Sequence, residues 1–110
     1  MAQNAIKAET LTSIYTAGIG ANYLPINAGG FTAPCLLLRI VNASNTNVMI
    51  SYDGVHDHEI VHADNTLQLF FQLNNLPNGK VSCLPKGTIV YAKGTAGIGL
   101  VYLAAYYTKE

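Results

Sequence analysis

Apolar residues fall in short runs punctuated by Gly, Pro, Asn and Asp, and no stretch sustains a helical period. Residues 11–17 carry Leu11, Ile14 and Tyr15 among Thr and Ser, and end at Gly18-Ile19-Gly20. Pro25, Gly29, Gly30 and Pro34 mark residues 20–34 as a loop. Cys35 to Asn42 (CLLLRIVN) is a nearly continuous apolar strand, of the kind covered on both faces. The Asn-rich segment 42–47 has turn chemistry, because Asn tolerates positive φ and bonds its own backbone. Val48 to Tyr52 follows, so the two runs are expected to pair as an antiparallel hairpin.

Asp53-Gly54 is the next turn, and a weakly alternating strand is expected over His56–His62 before Ala63-Asp64-Asn65 turns again. Leu67, Leu69 and Phe71 alternate with Gln68, Phe70 and Gln72, a period-two strand with one face aimed at a core. Asn74-Asn75 and Pro77-Asn78-Gly79 break it. A brief strand over Val81–Leu84, a Pro85-Lys86-Gly87 turn, and strands over Thr88–Ala92 and Ile98–Thr108 complete the set. Leu100–Tyr107 suits a helix by composition, but Tyr and Val favour strands and no cap precedes them. The expectation is all-β: a small antiparallel β-sandwich, jelly-roll or Ig-like, of seven to eight short strands. One domain over residues 11–110 follows a polar N-terminal arm, residues 1–10, expected to order on docking.

Composition narrows the function. The 110 residues are 50% hydrophobic but only 11% charged, against about 25% in an ordinary domain, and six cations balance six acids. Disorder is excluded, and six scattered cations make no basic patch for nucleic acid. Zero net charge favours association. The start shows no secretory signal, and no run nears the ~18 apolar residues of a membrane helix, so neither export nor a membrane is expected. Without a secretory route, the glycosylation acceptor Asn42-Ala43-Ser44 has no meaning. Cys35 and Cys83, lacking CxxC spacing, are expected as reduced, partly buried thiols; a disulfide between them is not readable from sequence.

Ligand chemistry concentrates in one segment. Asp53, His56, Asp57, His58, Glu59, His62 and Asp64 include all three histidines and four of the six acids. On a strand, His56 and His58 project to one face, and His62 joins them if the register holds. Three such imidazoles can bind zinc or iron with an open position, as in a small cupin-like metalloprotein. Against this, Glu59 directly follows His58 and no histidine lies beyond residue 62 to complete a cupin's second motif. The competing reading is a solvated rim segment whose His and acids blunt an edge strand. No catalytic residues, metal site or cofactor are therefore assigned. Ser51, His56 and Asp57 supply triad residue types without a nucleophile elbow, and nothing draws Cys35 or Cys83 to the histidines.

Two further features bear on partners. Seven tyrosines and three phenylalanines could stack nucleic-acid bases, but no cationic groove accompanies them, so core or interface packing is the better reading; they are also the sole support for a sugar-binding module. Arg39, inside an apolar strand, is expected to pair with a buried carboxylate or carbonyl, or to face a subunit interface. The runs 35–41 and 98–107 do not alternate, so their outer side calls for a cover: residues 1–10 folded over, or another subunit. Thr16-Ala17-Gly18-Ile19-Gly20 recurs as Thr95-Ala96-Gly97-Ile98-Gly99, two Gly-hinged approaches to strands without a phosphate-loop pattern.

Arg39-Ile40-Val41-Asn42, Asn47-Val48-Met49-Ile50-Ser51-Tyr52-Asp53-Gly54-Val55, Leu84-Pro85-Lys86-Gly87-Thr88 and Tyr91-Ala92-Lys93-Gly94-Thr95 together resemble small virion proteins of tailed bacteriophages. In those proteins a strand ending in Asn precedes an Ile-Ser-x-Asp-Gly hairpin, and a Lys-Gly-Thr turn leads into a last strand rich in Val and Tyr. The likeness spans residues 35–107. It implies a β-sandwich without enzymatic activity that binds copies of itself and virion proteins: the major capsid protein, or neck and tail proteins. The expectation is a homo-oligomeric capsid decoration subunit of the virion, assembled in the host cytoplasm; a neck, collar or tail ring subunit is the alternative.

Overall fold

The computed structural model describes residues 5–70 and 84–109. Among them nine strands form two antiparallel sheets, a small β-sandwich with two more strands than the lower count expected from turn spacing. The five-stranded sheet holds β1 (Ala5–Ala8), β2 (Thr12–Tyr15), β4 (Leu37–Ser44), β7 (Thr66–Phe70) and β9 (Gly99–Lys109). The four-stranded sheet runs β3 (Leu24–Pro25), β8 (Tyr91–Gly94), β5 (Val48–Ser51) and β6 (Glu59–Val61). Pro25 sits on an edge strand, where its missing N–H costs no ladder bond.

The expected hairpin of residues 35–42 with 48–52 does not form. β4 pairs with β7 and β9, whereas β5 pairs with β6 and β8 in the opposite sheet. Asn42 explains the crossover. Its side chain is fully buried, and its Nδ2 donates to Thr46 O (2.8 Å), Val61 O (3.0 Å) and His62 O (3.2 Å). Ser44 Oγ donates to Asn42 Oδ1 at 2.5 Å. One interior amide thus ties the crossover to the end of β6, satisfying the carbonyls of Thr46, Val61 and His62 where the chain passes between the sheets.

The core lies between the sheets. Leu38, Ile40, Val101, Leu103 and Ala105 meet Val48, Ile50, Val61, Val90 and Ala92, all 4% exposed or less. Burial in β4 alternates: Leu38, Ile40, Asn42 and Ser44 are inside, Leu37 and Val41 half-buried, Arg39 and Ala43 exposed. Arg39 therefore points out of the core, and among the described residues the expected pairing with a buried carboxylate or carbonyl of its own chain does not occur.

Part of the expected polar arm is already a strand. Ala8 pairs with Tyr106 and Thr12 with Leu103, so residues 9–11 oppose only 104 and 105. β1 and β2 are thus one edge strand along β9, interrupted by a one-residue bulge. Both Glu9 carboxylate oxygens accept the Thr32 N–H (3.1 Å), and Glu9 N donates to Ala105 O (2.9 Å). The described part of the arm, from Ala5 on, pairs edge-on with β9 instead of folding over the sheet's outer face.

The repeated pentapeptides meet in space. Thr16 Oγ1 donates to Gly99 O (3.2 Å), and Gly97 N donates to Thr16 O (3.2 Å). Ile19 is buried while its counterpart Ile98 is 80% exposed. Gly99 has φ +127°, and a Cβ there would lie 2.3 Å from Ala43 O, so only glycine fits where β9 begins. Among the described residues no helix is long and apolar enough to cross a membrane.

Candidate functional site

The His- and acid-rich segment is mostly a loop. β6 covers only Glu59–Val61, so His56 and His58 precede it and His62 follows it. The cause is the turn after β5. Asp53 Oδ1 accepts the N–H of Val55 (2.8 Å) and of His56 (2.9 Å), and Ser51 Oγ accepts the N–H of Gly54 (2.9 Å). Gly54, at φ +79°, completes the wind. These amides and the His56 ring hold the Asp53 carboxyl well below the usual carboxylate range, the His56 N–H contributing most.

The three imidazoles do not form one ligand set. The His56 and His58 ring centroids are 6.3 Å apart and tilted. His56 Nδ1 lies 2.8 Å from Asp53 Oδ2, while His58 Nδ1 accepts the Tyr52 N–H at 3.0 Å and its ring stacks on Tyr52. Among the described residues, no three of His, Cys, Asp and Glu are grouped to hold a metal ion. Ser51 Oγ donates to Asp53 Oδ1 (2.8 Å), so it serves the turn and is not paired with His56. Cys35 is buried, its Sγ 3.2 Å from Leu37 O; Cys83 lies outside the described residues.

The loop packs against β8 on the outer side of the small sheet. The Gly54 backbone rests against the Tyr91 ring of β8, where a Cβ would come within 3.1 Å. Asp57 Oδ1 accepts from the Tyr23 hydroxyl and from Lys93 Nζ (3.1 Å), and Lys93 Nζ stands 4.6 Å above the Tyr23 ring. Partial burial and the Asp57 bond push Tyr23 up to about 12, and the Tyr23 hydroxyl and Lys93 hold Asp57 below its ordinary range. Tyr52 is raised further, by burial first and then by Glu59. Its hydroxyl has no hydrogen-bond partner among the described residues. Tyr23 and Lys93 are distant from the cluster in sequence and carry no local signal of this role.

The five-stranded sheet is finished differently. Registry places Leu37, Arg39, Val41 and Ala43 of β4 beside Tyr106, Ala104, Tyr102 and Leu100 of β9 on the outer face. Leu37, Val41, Leu100, Tyr102, Ala104 and Tyr106 are half-buried by one another, and Tyr15, paired with Leu100, is 71% exposed. No described element crosses this face. Arg39 is its single charge among the described residues, with Gln68 and Ala104 as cross-strand neighbours. The apolar runs that failed to alternate in the sequence carried the signal for it. At one end of the sandwich a cavity of about 270 Å³ lies under the β1–β2 bulge, lined by Thr12, Asn27, Phe31, Leu103 and Tyr107 among others. Asn27 is already satisfied there by Thr88 O and Val90 N, so it offers a ligand little. No protein-family model, curated protein or solved structure matches the chain.

Proposed function

We propose that this chain is a non-enzymatic structural subunit of a tailed-bacteriophage virion, a capsid decoration protein that stabilises the head through contacts with its neighbours. The outer face of the five-stranded sheet carries the reading: among the described residues it has half-buried Leu, Val and Tyr side chains, one charge and no covering element. Aromatic and Arg side chains in an otherwise uncharged patch are the composition of an interface centre. The low charge count and the resemblance in residues 35–107 support the same reading. The rim loop 52–58 is accounted for by its packing on β8, which leaves the histidines a structural task.

Mass spectrometry of gradient-purified virions tests it. The expected result is the chain in many copies per particle, released on dissociating the shell. Its absence from the particle would overturn the proposal. Electron microscopy of antibody-labelled particles then separates a head lattice from a ring at the neck.

A further inference from the structure

The two outer faces of the sandwich differ in a way that bears on what binds them. Loop 52–58 overlies the small sheet through Gly54 on Tyr91 and Asp57 on Lys93. The large sheet keeps a tyrosine-lined apolar face with Arg39 exposed in the middle of β4. The ion pairs of the described residues are Asp53 with His56 and Asp57 with Lys93, and neither involves Arg39. The residues across from Arg39, Gln68 and Ala104, are uncharged. An arginine ringed by Leu37, Val41, Tyr102 and Tyr106 would lose water on docking and gain nothing from its own sheet.

We propose that this face docks on a protein other than the chain itself, an apolar surface presenting one carboxylate opposite Arg39. The inference rests on the reading of the chain as a shell-bound subunit and names the partner of that surface. Charge is the first argument. Among the described residues the face has one cation and no acid, so a second copy placed face to face does not neutralise it and sets like charge near like. A guanidinium also matches a carboxylate bidentately and is weakly hydrated, which suits a pair closed off from water. Area is the second argument. Four strands ~4.8 Å apart, over a β9 stretch rising ~3.3 Å per residue from Leu100 to Tyr106, make a patch of roughly 400 Å². That is about half of what one partner buries in a stable two-body complex, too little to hold an isolated dimer. It is enough for one contact among several, where many linked copies multiply a weak affinity.

The test uses the full chain and virion heads stripped of it, with binding read by co-sedimentation. Arg39→Glu is expected to weaken binding roughly thirtyfold or more, and Arg39→Lys, which keeps the charge but loses the bidentate fork, to weaken it by less, roughly tenfold. Lys86→Glu, in an exposed turn, makes the same change in net charge and is expected to leave binding unchanged. Unaltered thermal melts confirm that the variants fold. The Arg39→Lys chain bound to heads is then treated with a carbodiimide, which joins an amine to a touching carboxylate with loss of water. The expected product is one amide from position 39 to an Asp or Glu of a different protein. An adduct to a second copy, or no adduct, overturns the proposal, as does Arg39→Glu binding like wild type; in each case the shell reading stands. Failure of the wild-type chain to bind stripped heads removes the shell reading, and this proposal with it.

Discussion

Replacing Asn42 by Ala removes the interior amide that routes β4 away from β5. Three carbonyls lose a donor: Val61 O in a fully buried position, and Thr46 O and His62 O where burial is partial. A buried carbonyl left unpaired costs about 1–3 kcal/mol, and each part-buried bond contributes a net 0.5–1.5 kcal/mol or so. Ser44 Oγ also loses its 2.5 Å acceptor, and a small void opens at a fully buried site. Together these losses come to at least about 3 kcal/mol, a large part of the roughly 5–15 kcal/mol that holds a domain of this size. Urea unfolding followed by tyrosine fluorescence checks it. The midpoint is expected to fall with little change in slope, and Tm to drop by more than about 12 °C. Ala43→Ser, one residue along on the exposed side of β4, is expected to stay within about 0.5 kcal/mol of wild type. A loss below about 1 kcal/mol for Asn42→Ala would refute the claim that this side chain organises the crossover.

Gly99→Ala forces a Cβ to 2.3 Å from Ala43 O at φ +127°, and a loss of about 2–4 kcal/mol in chemical denaturation is expected. The same change at Gly18, which has open space, is expected to cost under about 1 kcal/mol. The raised ionisation of Tyr23 and Tyr52 means that the fold favours their neutral forms. Their contribution is full below the ordinary tyrosine value near 10 and lost as pH climbs through the raised ones. Absorbance at ~295 nm during alkaline titration is expected to show late ionisation from Tyr23 and Tyr52, with the Tyr23 share lost in Tyr23→Phe. The depressed carboxyls of Asp53 and Asp57 act in the opposite sense. Their stabilisation is complete above about pH 4 and lost as pH falls through the lowered values. The stability gap between wild type and Asp53→Asn, measured by urea melts, is therefore expected to close on acidification.

Where local pattern and tertiary contact agreed, the sequence was legible. β4, β5, β7 and β9 lie within a few residues of the apolar runs that predicted them, because their inward side chains impose period two. The 35–42/48–52 hairpin failed for a tertiary reason. Asn-rich turns read alike whether the chain reverses in one sheet or crosses to the other, and the Asn42 partners at Val61 and His62 lie far along the chain. The one-face histidine geometry failed because Ser51, Asp53 and Gly54 wind the segment into a loop before a strand can begin. Residues 1–10 looked unlike a strand because the bulge shifts the phase, turning even-numbered positions outward in β1 and odd-numbered ones in β2. The outer face of the large sheet was foreshadowed by runs too apolar for one wet side. The isolation of Arg39 needed the registry of β4 against β7 and β9.

The extra residue between β1 and β2 governs how such molecules accumulate when crowded. A straight edge from residue 5 to 15 would offer an unbroken row of amides and carbonyls to the next molecule, and sheets grow into fibres along such rows. Here the row changes phase at residues 9–11, and Glu9 anchors the kink to Thr32. Edge-to-edge sheet growth is closed along that margin even at high concentration. A concentrated solution of this chain should therefore not grow filaments by joining sheets along the β1–β2 margin.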